Sequence, residues 1–376
     1  MIMPAKNKSA FFNRDNELNY LKNWIHQEPN YLLFLYGPKS CGKTTLLMKF
    51  IEQYLVNKYY VIKHINLHDI TILNYTDVIR AFFTPDDSKA PTVMKPKRLF
   101  NLFRLPEEII VCMENKTLDP FVVMKKELEK KVKKGKSPVI IIDELQAIEE
   151  IYTKELRVLF NEFFNFFVAL TKESHMCHVI VSGNNGHFLN TIYDDSRLSK
   201  SAAYFDINDL SKDDVHHWLT HLQEESDISD YTLTEKQIET IWNYLGGNIF
   251  EITSVLGQSV RYAKKNKISD AKLKKIIDNR ISEKSQIISF YASIYENKRD
   301  LIRKILKISQ NKQIFSMNDL KDLIDNKKFN MNTLNNELCQ LIRDNILAFS
   351  PITAMYQLQG HGMYHGLERY VDSICF

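Results

Sequence analysis

Glycine is scarce in this chain, at 11 of 376 residues. Long apolar runs are missing too: no stretch approaches ~18 unbroken apolar residues, so no membrane span is expected. The opening MIMPAKNKSAFFNRD has neither the apolar run nor the small-residue cleavage site of a secretory signal, and a cytoplasmic location is expected. The five cysteines (Cys41, Cys112, Cys177, Cys339, Cys375) are scattered, without CxxC pairs or metal-ligand spacing, which reads as reduced thiols. Internal repeats are absent. One biased stretch, KKELEKKVKKGK (125–136), reads as the exposed face of a helix ending at Gly135. Charge is not extreme: 26% charged residues argue against wholesale disorder. The net charge of +4 is unevenly spread, because residues 261–376 hold twenty Lys and Arg against twelve Asp and Glu. That surplus is compatible with nucleic acid or another acidic partner, but on charge alone Lys-rich solvated helices are the favoured reading.

A chain of this length suggests two or three domains, and 44% hydrophobic residues supply material for packed cores. Residues 31–37, 59–67, 138–144 and 178–184 are short, β-branched or aromatic runs bounded by turn residues, as buried parallel strands are. A fifth strand is expected near 203–207. Helical stretches fall between them, at 44–57 and roughly 74–84, 120–135 and 152–172, and this alternation indicates a doubly wound α/β domain. Residues 85–118, with four prolines and the island RLFNLFRL, read as an irregular excursion with one short helix. From residue 211 the strands stop. Segments 211–224, 234–245, 247–266 and 270–295 look helical, with LGGN (245–248) marking a break. Beyond 297 come three short amphipathic helices and then alternating residues with a proline. That pattern fits a helix-turn-helix with a β-hairpin wing, its second helix opened by a Ser316/Asp319 capping box.

Two of the rare glycines stand five apart in Gly37-Pro38-Lys39-Ser40-Cys41-Gly42-Lys43-Thr44, which matches G-x-x-x-x-G-K-[ST]. Wrapping a triphosphate takes consecutive backbone N–H groups on a loop whose conformations favour glycine. The following helix points its partial positive end at the phosphates. Lys43 adds a point charge for the β- and γ-phosphates, Thr44 offers a hydroxyl to Mg²⁺, and Thr45 is a second hydroxyl. Asp143 and Glu144 end the run VIIIDE, a strand edge expected on the same end of the sheet as the loop. Asp143 would hold the Mg²⁺ hydration shell and Glu144 would orient and deprotonate the attacking water. The strand VIVSGNN presents Ser182, Asn184 and Asn185 as candidate sensors of the γ-phosphate or the lytic water, with Asn184 taken as the representative.

FFNRDNELNYLKNW (11–24), the GxxxxGKTT loop, IIIDELQ (140–146) and VIVSGNNGHFL (179–189) occur in that order. Together they resemble the archaeal-type ATPase family, of the STAND/AAA+-like branch of P-loop NTPases. The resemblance implies a P-loop NTPase (ASCE/AAA+-like) core with a five-stranded parallel sheet, then a helical lid and a winged-helix domain. The corresponding units are residues 1–210, 211–296 and 297–376. It also implies that Arg14, in the FNRD box, lies near the adenine edge, and that LGGNIFEI (245–252) is the lid's G-G-x-P motif with Ile249 in the proline's place. For the family's arginine after the sensor strand, SRLSKSAAYFDI offers Arg197 or Lys200, and an Arg stabilises developing charge better than a Lys.

Residues 332–347 would form the recognition helix of the winged helix, exposing Asn335, Asn336, Gln340 and Arg343, with Lys327 and Lys328 in the preceding turn. The helix is poor in Lys and Arg, whereas affinity for duplex DNA is largely electrostatic. Residues 297–376 therefore face either duplex DNA, or the lid, or a protein partner. His361, His365 and Cys375 lack a second ligand pair for a metal and read as surface residues. The expected activity is slow hydrolysis of ATP to ADP and phosphate with Mg²⁺, in a switch gating the C-terminal modules. An ATP-dependent homo-oligomer is compatible with it. The alternatives are a DNA-binding initiator or mobile-element ATPase and a scaffold that binds ATP and scarcely hydrolyses it. No N-K-x-D guanine reader follows the loop, and no acceptor-site motif suggests a small-molecule kinase.

Overall fold

The computed structural model describes residues 13–86, 102–148, 151, 159–183, 201–226, 228–293, 295–350 and 352–374, with the side chains of all of these except His68 and Gln146. Five parallel strands form the central sheet: β1 (Leu32–Tyr36), β2 (Tyr60–Asn66), β3 (Ser137–Asp143), β4 (His178–Gly183) and β5 (Ala202–Asp206). Their order is β2-β3-β4-β1-β5. Both faces are covered, which is why the strands read as unbroken apolar runs. Alternate residues divide between two cores. Leu33, Leu35, Ile62, Val139, Ile141 and Ile180 pack under α1 (Asp15–Ile25) and α2 (Lys43–Phe50), the latter extended by a π turn over Ile51–Leu55. Phe34, Ile140, Ile142, Val179 and Val181 join the helices of the opposite face. These are α3 (Tyr75–Phe82), α4 (Glu107–Glu114), α5 (Pro120–Val132) and α6 (Leu159–Val168). Each fully buried large side chain contributes about 1.5–3 kcal/mol relative to exposure.

The excursion over 85–118 contains α4, the one short helix expected there, and a two-residue parallel pairing of Thr84–Pro85 with Arg104–Leu105. The expected helix over 152–172 is described from residue 159 and closes in a π turn, Ala169–Glu173.

Beyond Asp206 the chain forms a helical lid: α7 (Lys212–Thr220), α8 (Leu222–Ser226), α9 (Glu235–Leu245), α10 (Ile249–Val260) and α11 (Asp270–Ala292). Capping explains the starts. Ser211 with Asp214 and Thr234 with Gln237 form capping boxes, and Asn248 and Ser269 accept from the N3 amides. The single helix expected over 211–224 is broken at His221, and the one expected to reach 266 ends at Val260. Val215, Trp218, Tyr231, Ile241, Val255 and Leu273 are among the buried residues of the lid core.

The C-terminal winged helix comprises α12 (Glu296–Ser309), β6 (Ile314–Phe315), a 3-10 turn (Met317–Leu320) leading into α13 (Lys321–Asp325), and α14 (Met331–Arg343). The hairpin β7 (Leu347–Ser350) and β8 (Met355–Leu358) follows, the three strands pairing antiparallel in the order β6-β8-β7. The Ser316/Asp319 capping box is present. The recognition helix ends at Arg343, four residues earlier than expected, because Leu347 already belongs to the wing. A last helix, α15 (Gly360–Ile374), was not expected at all. Met363, Leu367 and Tyr370 recur at helical spacing and are buried in the winged-helix core, but three glycines within seven residues mask that pattern.

α15 lies tightly on the lid. A Cβ on Gly366 would stand 2.5 Å from the Lys284 Cβ and 3.1 Å from its backbone carbon, so only glycine permits this approach of α15 to α11. Gly366→Ala is expected to force the two helices apart at a cost of about 1–3 kcal/mol, the usual range for overpacking. A thermal melt unchanged within a degree would refute this. His361 and His365 are not plain surface residues, as the sequence suggested. Both are half-buried, and their rings meet the carbonyls of Trp242 (3.1 Å) and Asn243 (3.1 Å) on α9. Cys375 lies outside the described residues, and no group of three His, Cys, Asp or Glu among the described residues could hold a metal ion.

Candidate nucleotide site

The loop between β1 and α2 carries residues 37–42. Gly37 is required by a close approach: a Cβ there would stand 2.0 Å from the carbonyl oxygen of Ile207, where the chain leaves β5. The Ile207 N–H donates to the Tyr36 carbonyl (2.8 Å), which holds the two strand exits side by side. Ser40 and Gly42 both sit at positive φ (64° and 98°), curling the loop over the start of α2. No side chain caps α2, so its first amides remain available to an anion. Pro38 and Cys41 are buried under the loop, and Lys39 and Ser40 face solvent. The Cys41 thiol, pushed up by burial, donates to Ile207 and is a packing group.

Lys43 is folded back on this loop. Its buried ammonium donates to the carbonyls of Gly37 (3.0 Å) and Pro38 (2.8 Å). Thr44 Oγ1 donates to Asp143 Oδ2 at 2.5 Å, which brings the hydroxyl of α2 and the carboxylate of β3 to one point. Thr45 follows, half-buried. Asp143 is fully buried, and its other oxygen accepts from Ser182 at 2.5 Å. Ser182 thus orients Asp143 rather than facing outward as a sensor. Glu144 has φ 62°, a backbone position uncommon for a non-glycine residue, and its N–H donates to the Ser182 carbonyl (2.8 Å). A hydroxyl beside a carboxylate at a helix N-terminus is a hard-oxygen donor set of the kind Mg²⁺ shares with substrate phosphates. Asn184 and Arg197, together with Asn185 and Lys200, lie outside the described residues.

Arg14 is buried behind the loop. Its guanidinium donates to the carbonyls of Cys41 (3.0 Å) and Asn208 (2.7 Å) and pairs with Glu17 (2.6 Å). It therefore braces the loop against the segment leading from β5 into the lid. The lid meets the loop twice. Ile249, two residues after Gly247, has its Cδ1 3.3 Å from where a Gly42 Cβ would be. Asn248 Nδ2 donates to the Lys39 carbonyl (3.1 Å) and to Asp209 Oδ1 (3.2 Å). Asp209 is half-buried, and the partial loss of water pushes its carboxyl up to about 6 against the pull of Asn248, Arg14 and Lys43. Burial raises Asp206 as well.

The winged helix also reaches the loop. Gln359, directly after β8, accepts from the Lys39 N–H through Oε1 at 3.3 Å. Between the two lies a cavity of about 190 Å³, walled by Gly37, Pro38 and Asp206 on one side and by Phe349, Ser350 and Gln357 on the other. Sequence reasoning missed Gln359, Asn248 and Asp209. Asn248 alone left a trace, as the polar residue after the two glycines of the lid break.

Residues 11–255 match the description of an ATPase domain predominantly from Archaea. The chain is 37% identical over 236 residues to the ATP-binding protein MJ1076 of Methanocaldococcus jannaschii, covering 62% of this chain and 67% of that protein. It is 28% identical over 375 residues to the ATP-binding protein MJ0147 of the same organism, covering 96% and 98%. Among solved structures, the Walker-type ATPase PABY2304 of Pyrococcus abyssi superimposes with a TM-score of 0.64 at 14% identity, covering 98% of this chain and 99% of that one. The ORC2 protein of Aeropyrum pernix gives 0.51 at 10% identity, covering 98% and 97%. These two likenesses concern the fold. With the family match spanning the loop, the Asp143–Glu144 strand and the lid motif, the chain belongs to the archaeal ATPase-domain family.

Proposed function

We propose that this chain binds ATP with Mg²⁺ on residues 37–45, hydrolyses it slowly, and works as a switch whose state is read by the winged helix, with residues 1–210, 211–296 and 297–376 as its working units. Lys43 and the loop amides would take the phosphates, and Thr44 and Asp143 would hold the metal, which neutralises phosphate charge when bound. Glu144 would take the proton of the attacking water, and Arg14 would keep the loop in place. Asn184 and Arg197 complete the proposed set as sensor and charge-stabilising arginine. The family's ATPase designation and the names of the ATP-binding relatives support ATP as the nucleotide.

The observation that carries the switch reading is the Gln359 contact. A carboxamide oxygen from the C-terminal module takes a loop amide of the kind that a phosphate oxygen uses, while Lys43 is turned onto the loop's own carbonyls. Phosphate binding competes with both arrangements, so it would loosen the grip of the winged helix on the core.

Gln359→Ala tests this coupling. The variant removes a bond within the wing, from Gln359 Nε2 to the Leu347 carbonyl, and the one bond to the loop; losing the latter, about 0.5–1.5 kcal/mol, should tighten ATP binding between twofold and tenfold. Titration calorimetry with ATP and Mg²⁺ measures it. An unchanged or weaker affinity in the variant removes the winged helix from the switch. No heat of binding in the unsubstituted protein removes the nucleotide reading itself.

A further inference from the structure

Resting on the ATP–Mg²⁺ reading above, we infer that Ser182 is a positioning residue: its hydroxyl sets how tightly the site holds the metal, while metal-free nucleotide binding does not depend on it. Strand register brings Ser182 to Asp143. β3 and β4 run parallel with Asp143 opposite Ser182, and with Ile141 opposite Ile180 two residues earlier. Those isoleucines pack in the core under α2. By the alternation of a strand, Asp143 and Ser182 face the same way, toward the helix that begins with Lys43 and Thr44.

Ser182 is fully buried behind the apolar run Val179, Ile180 and Val181. A hydroxyl in such a place costs free energy unless it is hydrogen-bonded, and this one is spent on Asp143 Oδ1 at 2.5 Å. Thr44 donates to the other oxygen, Oδ2. An ionised carboxylate only accepts, and with one donor it can still turn about its Cβ–Cγ bond, a torsion with broad minima. Donors on both oxygens, one from β4 and one from α2, fix the plane of the group.

The two donors differ in what the metal asks of them. Thr44 is itself a proposed ligand, so its oxygen must answer to the cation. Ser182 has no such duty and can hold the carboxylate in either state. Loss of an outer partner of this kind costs about 10- to 100-fold in metal affinity. The backbone of Ser182 has a separate part, because its carbonyl accepts the Glu144 N–H (2.8 Å). Ser182→Ala keeps that bond and deletes the hydroxyl alone. Were the hydroxyl instead a sensor of the γ-phosphate, as its place at a strand end suggests, its loss would weaken ATP with or without metal.

Titration calorimetry of the full chain with ATP, once with Mg²⁺ and once with EDTA, separates the two roles. The ratio of the two affinities is the metal's contribution to binding. In Ser182→Ala that contribution should fall about 10- to 100-fold, with the EDTA affinity unchanged. Ser182→Thr and Ser182→Val share one shape and differ by the hydroxyl, so the first should keep more of the metal's contribution than the second. An unchanged contribution in Ser182→Ala, or equal values for the threonine and valine variants, would overturn the inference. So would an equal loss in both buffers, which marks a phosphate sensor or a packing role. Heat in neither buffer with the unsubstituted protein strikes the nucleotide reading itself and takes this role of Ser182 with it.

Discussion

Lys43→Ala is expected to reduce ATP affinity by more than a hundredfold while leaving the fold in place. The ammonium is folded into the loop, where it donates to the Gly37 and Pro38 carbonyls. In the bound state it would exchange those neutral acceptors for ionised phosphate oxygens, and truncating one partner of a buried, hydrogen-bonded charge pair costs about 2–5 kcal/mol. A loss of about 3 kcal/mol within that range is a factor above one hundred at 1.4 kcal/mol per tenfold. The alanine variant leaves the buried strands and Arg14's bonds to Cys41 and Asn208 untouched, so its far-ultraviolet spectrum should match the parent's. Calorimetry with ATP and Mg²⁺ reads the loss. An affinity within threefold of the parent would mean that the loop is not a phosphate site.

Glu144→Gln should separate binding from turnover. Glutamine keeps the length and shape of glutamate, and the strained backbone at φ 62° suits both equally. Thr44 and Ser182 donate to the two Asp143 oxygens, bonds that a glutamine at 144 leaves in place, so the metal site should persist. What disappears is a carboxylate able to accept a proton from water, and positioned general bases contribute about 10²- to 10⁴-fold. Phosphate release in single-turnover assays should fall by at least that lower bound, with the ATP dissociation constant within about twofold of the parent's. Undiminished hydrolysis would remove Glu144 as the base and point to water activation from elsewhere in the site.

The parts of the site that sequence revealed are the parts that lie contiguously. Residues 37–45 announce themselves because one short loop must supply amides, lysine and hydroxyl together. Asp143 and Glu144 were legible because a carboxylate pair closing a fully apolar strand is costly without a task. The five strands were legible for a related reason: parallel strands covered on both faces tolerate few polar residues. Other features depend on packing between distant segments. Gln359 meets Lys39 across 320 positions of chain, and no local pattern marks a glutamine for that purpose. Arg14 was read through resemblance as a neighbour of the base, whereas its geometry is that of a brace to two carbonyls. α15 escaped notice because glycine, which weakens helix propensity, is what lets this helix press on its neighbour.

One consequence concerns α11. Its first turns, through Leu273, Ile276, Ile277 and Ile281, belong to the lid's interior, and its last, through Ile288, Tyr291 and Ala292, to that of the winged helix. At 23 residues and about 1.5 Å per residue it is a stiff rod of roughly 35 Å shared by two bodies. Neither body can swing alone without breaking an oily interior, so any pivot falls on the residues after Asp206. A tilt of about 10° there would carry the rod's far end some 6 Å, by the same length estimate, turning an ångström-scale shift at the phosphates into a stroke a neighbouring molecule can feel.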